Sequence, residues 1–175
     1  MKINVGDIKK QPEMSREYKL TEMLPPVTLA GDTAAFAEPV RVQVTVANAG
    51  KNFLVEGRVT AEVLLTCGRC LESYTYTVDE PFREEYKQAG ESRGADQEND
   101  GQEEQVRLFT GDTVDLTETV LEAVTLALPM KRICRENCRG LCPHCGRNLN
   151  EGDCDCREEA LDPRLAVLAN LMKRE

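Results

Sequence analysis

Val40-Arg41-Val42-Gln43-Val44-Thr45-Val46 alternates apolar and polar residues at every step. A strand turns successive side chains to opposite faces, so this alternation specifies a half-buried strand with the Val side chains inward and Arg41, Gln43 and Thr45 outward. Asn48-Ala49-Gly50-Lys51 then makes a turn. The following run sets Phe53, Val55, Val59, Val63 and Leu65 on one face against Glu56, Arg58 and Glu62 on the other. Two such runs joined by a short turn predict a long antiparallel hairpin. Tyr74 to Val78 extends the sheet beyond a Cys-bearing corner, Val106 to Phe109 resumes it, and Gly111-Asp112 turns the chain again. A strand from Lys2 to Ile8 is expected at the sheet edge.

Helical spacing appears next. Asp115 with Glu118 three residues on resembles a capping box, and Leu116, Val120, Val124 and Leu128 recur every four residues until Pro129. Such a helix covers one sheet face. Asp162-Pro163 offers an N-cap followed by Pro at the first helical position, with Leu165, Leu168 and Met172 lining a short terminal helix. The fold class is therefore α+β: a mainly antiparallel β-sheet body with a covering helix, a Cys-rich zinc-knuckle module and a short C-terminal helix. The body is assigned to residues 1–130 and the Cys-rich tail to residues 131–175.

The chain has 175 residues, enough for one domain or a domain with a small appendage. Acidic residues outnumber basic ones 31 to 22, for a net charge of −9. Most of that excess is local: Asp79 to Glu104 holds ten acidic and three basic residues, net −7. Within it, Ala89 to Glu103 has no large apolar residue that could tie it to a core, which predicts an acidic mobile loop over residues 88–104. Composition favours a solvated connection there over an acidic interaction segment. No apolar run reaches the ~18 residues a membrane helix needs, and Met1 to Asp7 is too polar for a secretory signal. A cytoplasmic location follows, without a membrane association. In a reducing compartment thiols persist as thiols, so the eight Cys favour metal ligation over disulfides.

Those Cys fall into four groups: Cys67-Gly68-Arg69-Cys70, Cys134 with Cys138, Cys142-Pro143-His144-Cys145, and Cys154-Asp155-Cys156. Structural zinc takes four ligands in a tetrahedron, and a Cys pair two residues apart in a tight turn presents both sulfurs to one ion. Eight residues separate Cys145 from Cys154, room for a hairpin that returns the second pair, so Cys142, Cys145, Cys154 and Cys156 form one expected site. Cys67, Cys70, Cys134 and Cys138 form the other, giving about two zinc ions per chain. A competing partition joins Cys134, Cys138, Cys142 and Cys145. It leaves only three residues between the two pairs, a cramped route round one metal, and it stays open at this point. Inert core thiols explain such clustering poorly, because six of the eight fall within 23 residues. A redox pair at Cys67 and Cys70 would need a βαβ setting rather than antiparallel strands. His144 is read as exposed, its neighbours already completing a site.

Catalysis is not expected. A catalytic zinc keeps one position for water, whereas all-Cys sites are closed. Neither Gly-x-Gly-x-x-Gly nor Gly-x₄-Gly-Lys-Ser/Thr occurs, and one His cannot be built into a Ser-His-Asp arrangement here. No small-molecule substrate is expected either.

Cys67-Gly68-Arg69-Cys70-Leu71, Leu126-Ala127-Leu128-Pro129, Gly140-Leu141-Cys142-Pro143-His144-Cys145-Gly146-Arg147-Asn148-Leu149-Asn150, Cys154-Asp155-Cys156 and Asp162-Pro163-Arg164-Leu165 together resemble the YceD family. The resemblance spans nearly the whole chain. It implies a β-rich body, an acidic variable loop and a Cys-rich tail, as well as a role in the accumulation of large-subunit (23S) ribosomal RNA through ribosome assembly, RNA processing or RNA stability. It implies no enzymatic activity and brings no catalytic residues. The partners it implies are a ribosomal protein, a pre-ribosomal particle or ribosomal RNA.

Support for RNA contact in the residues themselves is mixed. Lys131, Arg132, Arg135, Arg139 and Arg147 face only Glu136 in their stretch, and Arg pairs bidentately with phosphate. Against this, each four-thiolate zinc site carries −4 + 2 = −2, and the chain is acidic. Tyr74, Tyr76, Tyr86 and Phe109 read as sheet packing rather than base-stacking platforms. Two classes of function remain: a non-catalytic ribosome-biogenesis factor, and a thiol-based redox or metal-sensing regulator in which one Cys pair releases metal on oxidation.

Overall fold

The computed structural model describes residues 1–29, 32–89 and 106–156. Its elements run β1 (Lys2–Asn4), α1 (Gly6–Lys9), β2 (Ser15–Glu22), β3 (Val27–Leu29), β4 (Asp32–Phe36), β5 (Val40–Asn48), β6 (Phe53–Thr66), β7 (Ser73–Gln88), β8 (Arg107–Phe109), β9 (Thr113–Asp115) and α2 (Thr117–Ala127).

The alternating Val stretch is β5, and it pairs antiparallel with β6 so that Val42 lies opposite Val59 and Val46 opposite Val55. Val40, Val42, Val44 and Val46, together with Phe53, Val55, Val59, Val63 and Leu65, are buried on one face. β6 is the spine of the sheet. β5 and then β4 occupy one of its edges, and β7 follows the other edge along its whole length, from Phe53 opposite Tyr86 to Thr66 opposite Ser73. β2 flanks β5 on the outside. Gly57 faces Phe82 across the β6–β7 ladder, and a Cβ there would stand 2.7 Å from the Gln43 carbonyl oxygen and 2.8 Å from the Phe82 ring. Only glycine lets the ring lie across that strand.

β7 outruns the expected Tyr74–Val78 segment and continues to Gln88. Its charged residues pair across the ladder instead of leaving it: Arg58 meets Asp79 at 2.9 Å and Arg83 meets Glu56 at 3.4 Å. Pro81 is tolerated because β7 is otherwise an open edge there, β8 reaching only Tyr86 to Gln88. That last pairing is parallel, an exception within the mainly antiparallel sheet. The sequence expectation of an edge strand from Lys2 to Ile8 is corrected. β1 pairs with β9 in a separate two-stranded sheet, and Gly6–Lys9 forms a short helix that buries Ile8. The buried Asn48 amide donates to the carbonyls of Ile8 (3.0 Å) and Gln11 (3.3 Å), tying the turn after α1 to the end of β5.

Helix α2 covers the inner face with Leu116, Val120, Val124 and Leu128 buried, as their spacing predicts. The capping box is not formed. Asp115 Oδ1 accepts hydrogen bonds from the backbone N–H and hydroxyl of Thr117, but Glu118 turns to the Arg107 guanidinium at 2.8 Å, a charge-assisted bond stronger than one to a backbone N–H. Edge-to-face packing of Phe53 on Phe109, with ring centroids 5.4 Å apart, and a 2.6 Å bond between the Tyr86 and Thr119 hydroxyls join sheet, β8 and helix. Beyond Gln88 and Ala89 the expected acidic loop falls outside the described residues, as does the expected terminal helix with Asp162, Pro163, Leu165, Leu168 and Met172. Among the described residues, no helix is long and apolar enough to cross a membrane.

Candidate metal centres

The eight thiols gather into two groups of four: Cys67, Cys70, Cys134 and Cys138; and Cys142, Cys145, Cys154 and Cys156. Within each group the Sγ atoms lie within 4.8 Å of one another. The competing partition of Cys134 and Cys138 with Cys142 and Cys145 is not the one formed. Metal–sulfur bonds of about 2.3 Å in a tetrahedron require S···S edges of about 3.8 Å. Cys67 to Cys138 is 3.9 Å, Cys70 to Cys134 3.7 Å and Cys142 to Cys154 3.3 Å, close to that edge and far from a disulfide bond. Each group can thus hold a metal ion, and an all-thiol donor set suits a soft or borderline cation.

The two Cys-x₂-Cys turns are built alike. Cys67 N–H donates to the Glu72 carbonyl (2.9 Å) while Leu71 N–H donates to the Cys67 carbonyl (2.9 Å). In the second turn Cys142 N–H donates to Arg147 (2.8 Å) and Gly146 N–H to Cys142 (2.9 Å). The fifth residue of each is left-handed, Leu71 at φ 60° and Gly146 at φ 72°. Such turns aim successive N–H groups at the first sulfur. Burial raises the Cys67 pKa, but N–H groups of Cys70, Cys134 and Arg69 outweigh it and bring the thiol down to about 6. N–H groups of Cys145 and His144 bring Cys142 down to about 6 as well. The Asn150 amide, 3.4 Å from Cys138 Sγ, lowers Cys138.

Other thiols in each group move the opposite way. The Glu72 N–H favours the Cys70 thiolate, yet burial and hydrogen bonds with Cys67, Cys134 and Cys138 prevail and push it up to about 12. Hydrogen bonding with Cys145, then burial, pushes Cys156 up to about 12. Burial raises Cys134. Cys67 and Cys138 in the first group and Cys142 in the second thus favour the charged form while a neighbour keeps its proton, so each group titrates as a unit. A bound cation would supply the positive charge that lets the remaining thiols ionise.

Residues with no signal in the Cys spacing join the two centres. Arg69 offers its carbonyl to Leu141 N–H (3.1 Å) and its guanidinium to the Cys138 carbonyl (3.0 Å). Asn148 donates to Glu72 at 2.8 Å, and Asn150 Oδ1 accepts the Arg139 N–H at 2.9 Å. Gly140, at φ 76°, lets the backbones approach, since a Cβ would stand 3.0 Å from the Arg69 oxygen. Only the Asn148-Leu149-Asn150 repeat beside a knuckle was available as a sequence cue. Of the basic candidates, Lys131, Arg135, Arg139 and Arg147 are exposed and Arg132 is half-buried, its carbonyl accepting the Gly68 N–H at 2.8 Å. Arg139 is engaged by Asp153. His144 is exposed.

Comparison with known proteins fits this arrangement. A family model described as "Large ribosomal RNA subunit accumulation protein YceD" matches residues 55–172. An uncharacterized protein of Mycobacterium tuberculosis (strain ATCC 25618 / H37Rv) is 32% identical over 130 residues, covering 74% of this chain and 60% of that protein. The chain thus spans about 60% of the length of its Mycobacterium tuberculosis and Mycobacterium bovis relatives. The uncharacterized protein YlbN of Bacillus subtilis (strain 168) is 27% identical over 176 residues, 100% of this chain and 98% of the relative. The "Large ribosomal RNA subunit accumulation protein YCED homolog 1, chloroplastic" of Arabidopsis thaliana is 28% identical over 159 residues, 78% of this chain and 49% of the relative. No solved structure matches. With two thirds of its length under the family model, from near the start of β6 across both Cys clusters, the chain belongs to the YceD family.

Proposed function

We propose that the chain is a non-catalytic cytoplasmic factor in ribosome biogenesis that supports the accumulation, processing or stability of large-subunit (23S) ribosomal RNA. The observation that carries this is the family match running through both four-thiol clusters. On this reading the clusters hold two structural zinc ions, one within the Cys-rich tail assigned to residues 131–175 and one joining that tail, through Cys134 and Cys138, to Cys67 and Cys70 of the body assigned to residues 1–130. Lys131, Arg132, Arg135 and Arg147 meet a ribosomal protein, a pre-ribosomal particle or the RNA itself. Closed four-thiol sites leave no position for a reacting water, which supports a structural rather than a catalytic role.

Two measurements test it. Elemental analysis of protein purified under reducing conditions is expected to give two zinc ions per chain. Cells depleted of the protein are expected to lose mature 23S RNA relative to 16S RNA and to recover it with the wild-type chain. Unchanged 23S levels would end this reading. A redox- or metal-sensing role draws support from the exposure of Cys145 and Cys156. It requires that mild oxidant eject zinc reversibly; a fully metallated, oxidant-insensitive protein excludes it.

A further inference from the structure

We infer that the trough between α2 and the middle of β7 is a docking groove for a basic, amphipathic segment of a partner protein. This stands on the groove alone and not on the metal centres. Its floor and walls are Glu80, Phe82 and Glu84 from β7 and Glu122, Ala123 and Leu126 from α2, enclosing about 330 Å³. It runs on past Glu84 and Glu122 into a wider recess of about 860 Å³ beside Arg107 and Glu118.

Two features define the occupant. The first is apolar surface left open by the fold. Leu126 is 87% exposed although the same helix buries Val120 and Val124 fully, and the half-buried Phe82 ring lies across Gly57 with one side toward the trough. The second is charge. Glu80, Glu84, Glu118 and Glu122 outnumber Arg107, which already bonds Glu118 and Glu122 and stands 3.8 Å from Glu84. Arg83 at the mouth is engaged by Glu56 at 3.4 Å. A groove that is apolar at its floor and anionic at its rim selects Leu-type anchors flanked by Lys or Arg. It repels nucleic acid, and it repels the chain's own residues 90–105, which carry six acidic residues and one Arg. The 11 residues of α2 offer a wall of roughly 16 Å, the length of about three helical turns of a partner.

The probe is a fluorescein-labelled helical peptide of repeating Lys and Leu with Lys on one face and Leu on the other, matched to α2 in length. Its control has every Leu replaced by Ser at the same charge. Fluorescence anisotropy on the full-length, metal-loaded protein is expected to show binding of the first peptide and at least tenfold weaker binding of the second, since burying each Leu contributes one or more decades. Leu126→Ser and Glu80→Lys, both at exposed positions, are each expected to weaken the first peptide about three- to tenfold, and only Glu80→Lys is expected to flatten the salt dependence. Equal binding of the two peptides, or no change with Leu126→Ser, would overturn the proposal. So would a tenfold gain in probe binding on Leu165→Ser with Leu168→Ser, because the chain's own C-terminal segment would then be the occupant. A Leu126-dependent dimer in sedimentation would overturn it in favour of a second copy.

Discussion

The two Cys-x₂-Cys turns share a hydrogen-bond pattern but stand in opposite settings. The first sits at the corner between β6 and β7 with Cys67, Cys70 and Cys138 buried, and its partners lie 64 and 71 residues away in sequence. The second closes on itself, Cys142 meeting Cys154 over 12 residues, with Cys145 and Cys156 exposed. The same local device therefore serves two purposes: one staples the end of α2 back to the sheet, the other only shapes a short hairpin. Closing the longer loop removes about 1.5 kcal/mol more chain entropy from the unfolded state. Burial makes an unmatched ligand in the first centre more costly still.

The largest expected effect follows. Cys138→Ser should destabilise the whole protein by roughly 3–5 kcal/mol, about 10 °C in melting temperature, while Cys156→Ser should leave the main transition nearly in place. Thermal unfolding followed by circular dichroism measures both. A chelator should also strip the exposed second centre first. Equal losses from the two substitutions would erase the distinction between staple and hairpin.

Asn150 sharpens the comparison because it belongs to the second module by sequence and to the first by contact, its amide 3.4 Å from Cys138 Sγ. Outer hydrogen bonds of this kind typically affect metal affinity 10–100-fold. Asn150→Ala is expected to weaken metal binding at the first centre by about that factor, and at the second by much less, in competition titrations against a chromogenic chelator.

Both turns lower their first sulfur to about 6, so pH tests what they share. The ordinary thiol value is 9.0, and a depressed pKa stabilises the folded state fully above that value, an advantage lost as pH falls through about 6. Metal-free protein is therefore expected to lose stability steadily as pH drops from 9 to 6, with thiolate absorbance falling near 6. Cys70 and Cys156 offset little of this: at about 12 they stay protonated in the fold, and their unfolded counterparts, at 9.0, are half ionised at pH 9 and protonated over the rest of the window. A flat stability profile over that range would remove the N–H-to-sulfur account.

The sequence displays some of this plainly and hides the rest for physical reasons. Val40 to Leu65 and Leu116 to Leu128 are legible because burial on one face imposes a period on the apolar residues. The thiol grouping is legible because four ligands round one ion limit the spacing between pairs. β2 is not: Ser15-Arg16-Glu17-Tyr18-Lys19-Leu20 is an outer strand whose side chains are mostly exposed, so only Tyr18 and Leu20 carry a signal. The far half of β7 hides behind charges that pair across strands, and Pro81 disguises it further. Glu118 misleads as a cap because its partner Arg107 lies 11 residues away on another element. The outer contacts of the metal centres, from Arg69, Glu72, Asn148 and Asn150, are long-range and leave no local pattern.

The smallest effect probes the fifth position of the two turns, where a leucine stands in one and a glycine in the other. Leu71 and Gly146 both sit at positive φ, the region a Cβ makes costly by about 1 kcal/mol, and Leu71 is in addition 64% exposed. Gly146 shows that the turn needs no side chain there, so nothing in the turn itself explains Leu71. Leu71→Gly is expected to relieve strain and to lose little packing, while gaining unfolded-state entropy, for a net change within about 0.5 kcal/mol. Gly146→Leu adds the strain without a compensating contact, as no atom lies within 4 Å of where its Cβ would stand, and is expected to cost about 1 kcal/mol. Paired denaturant titrations measure the difference. A loss of 2 kcal/mol or more from Leu71→Gly would mean that the side chain holds the first turn together, and that the two turns are alike in backbone only.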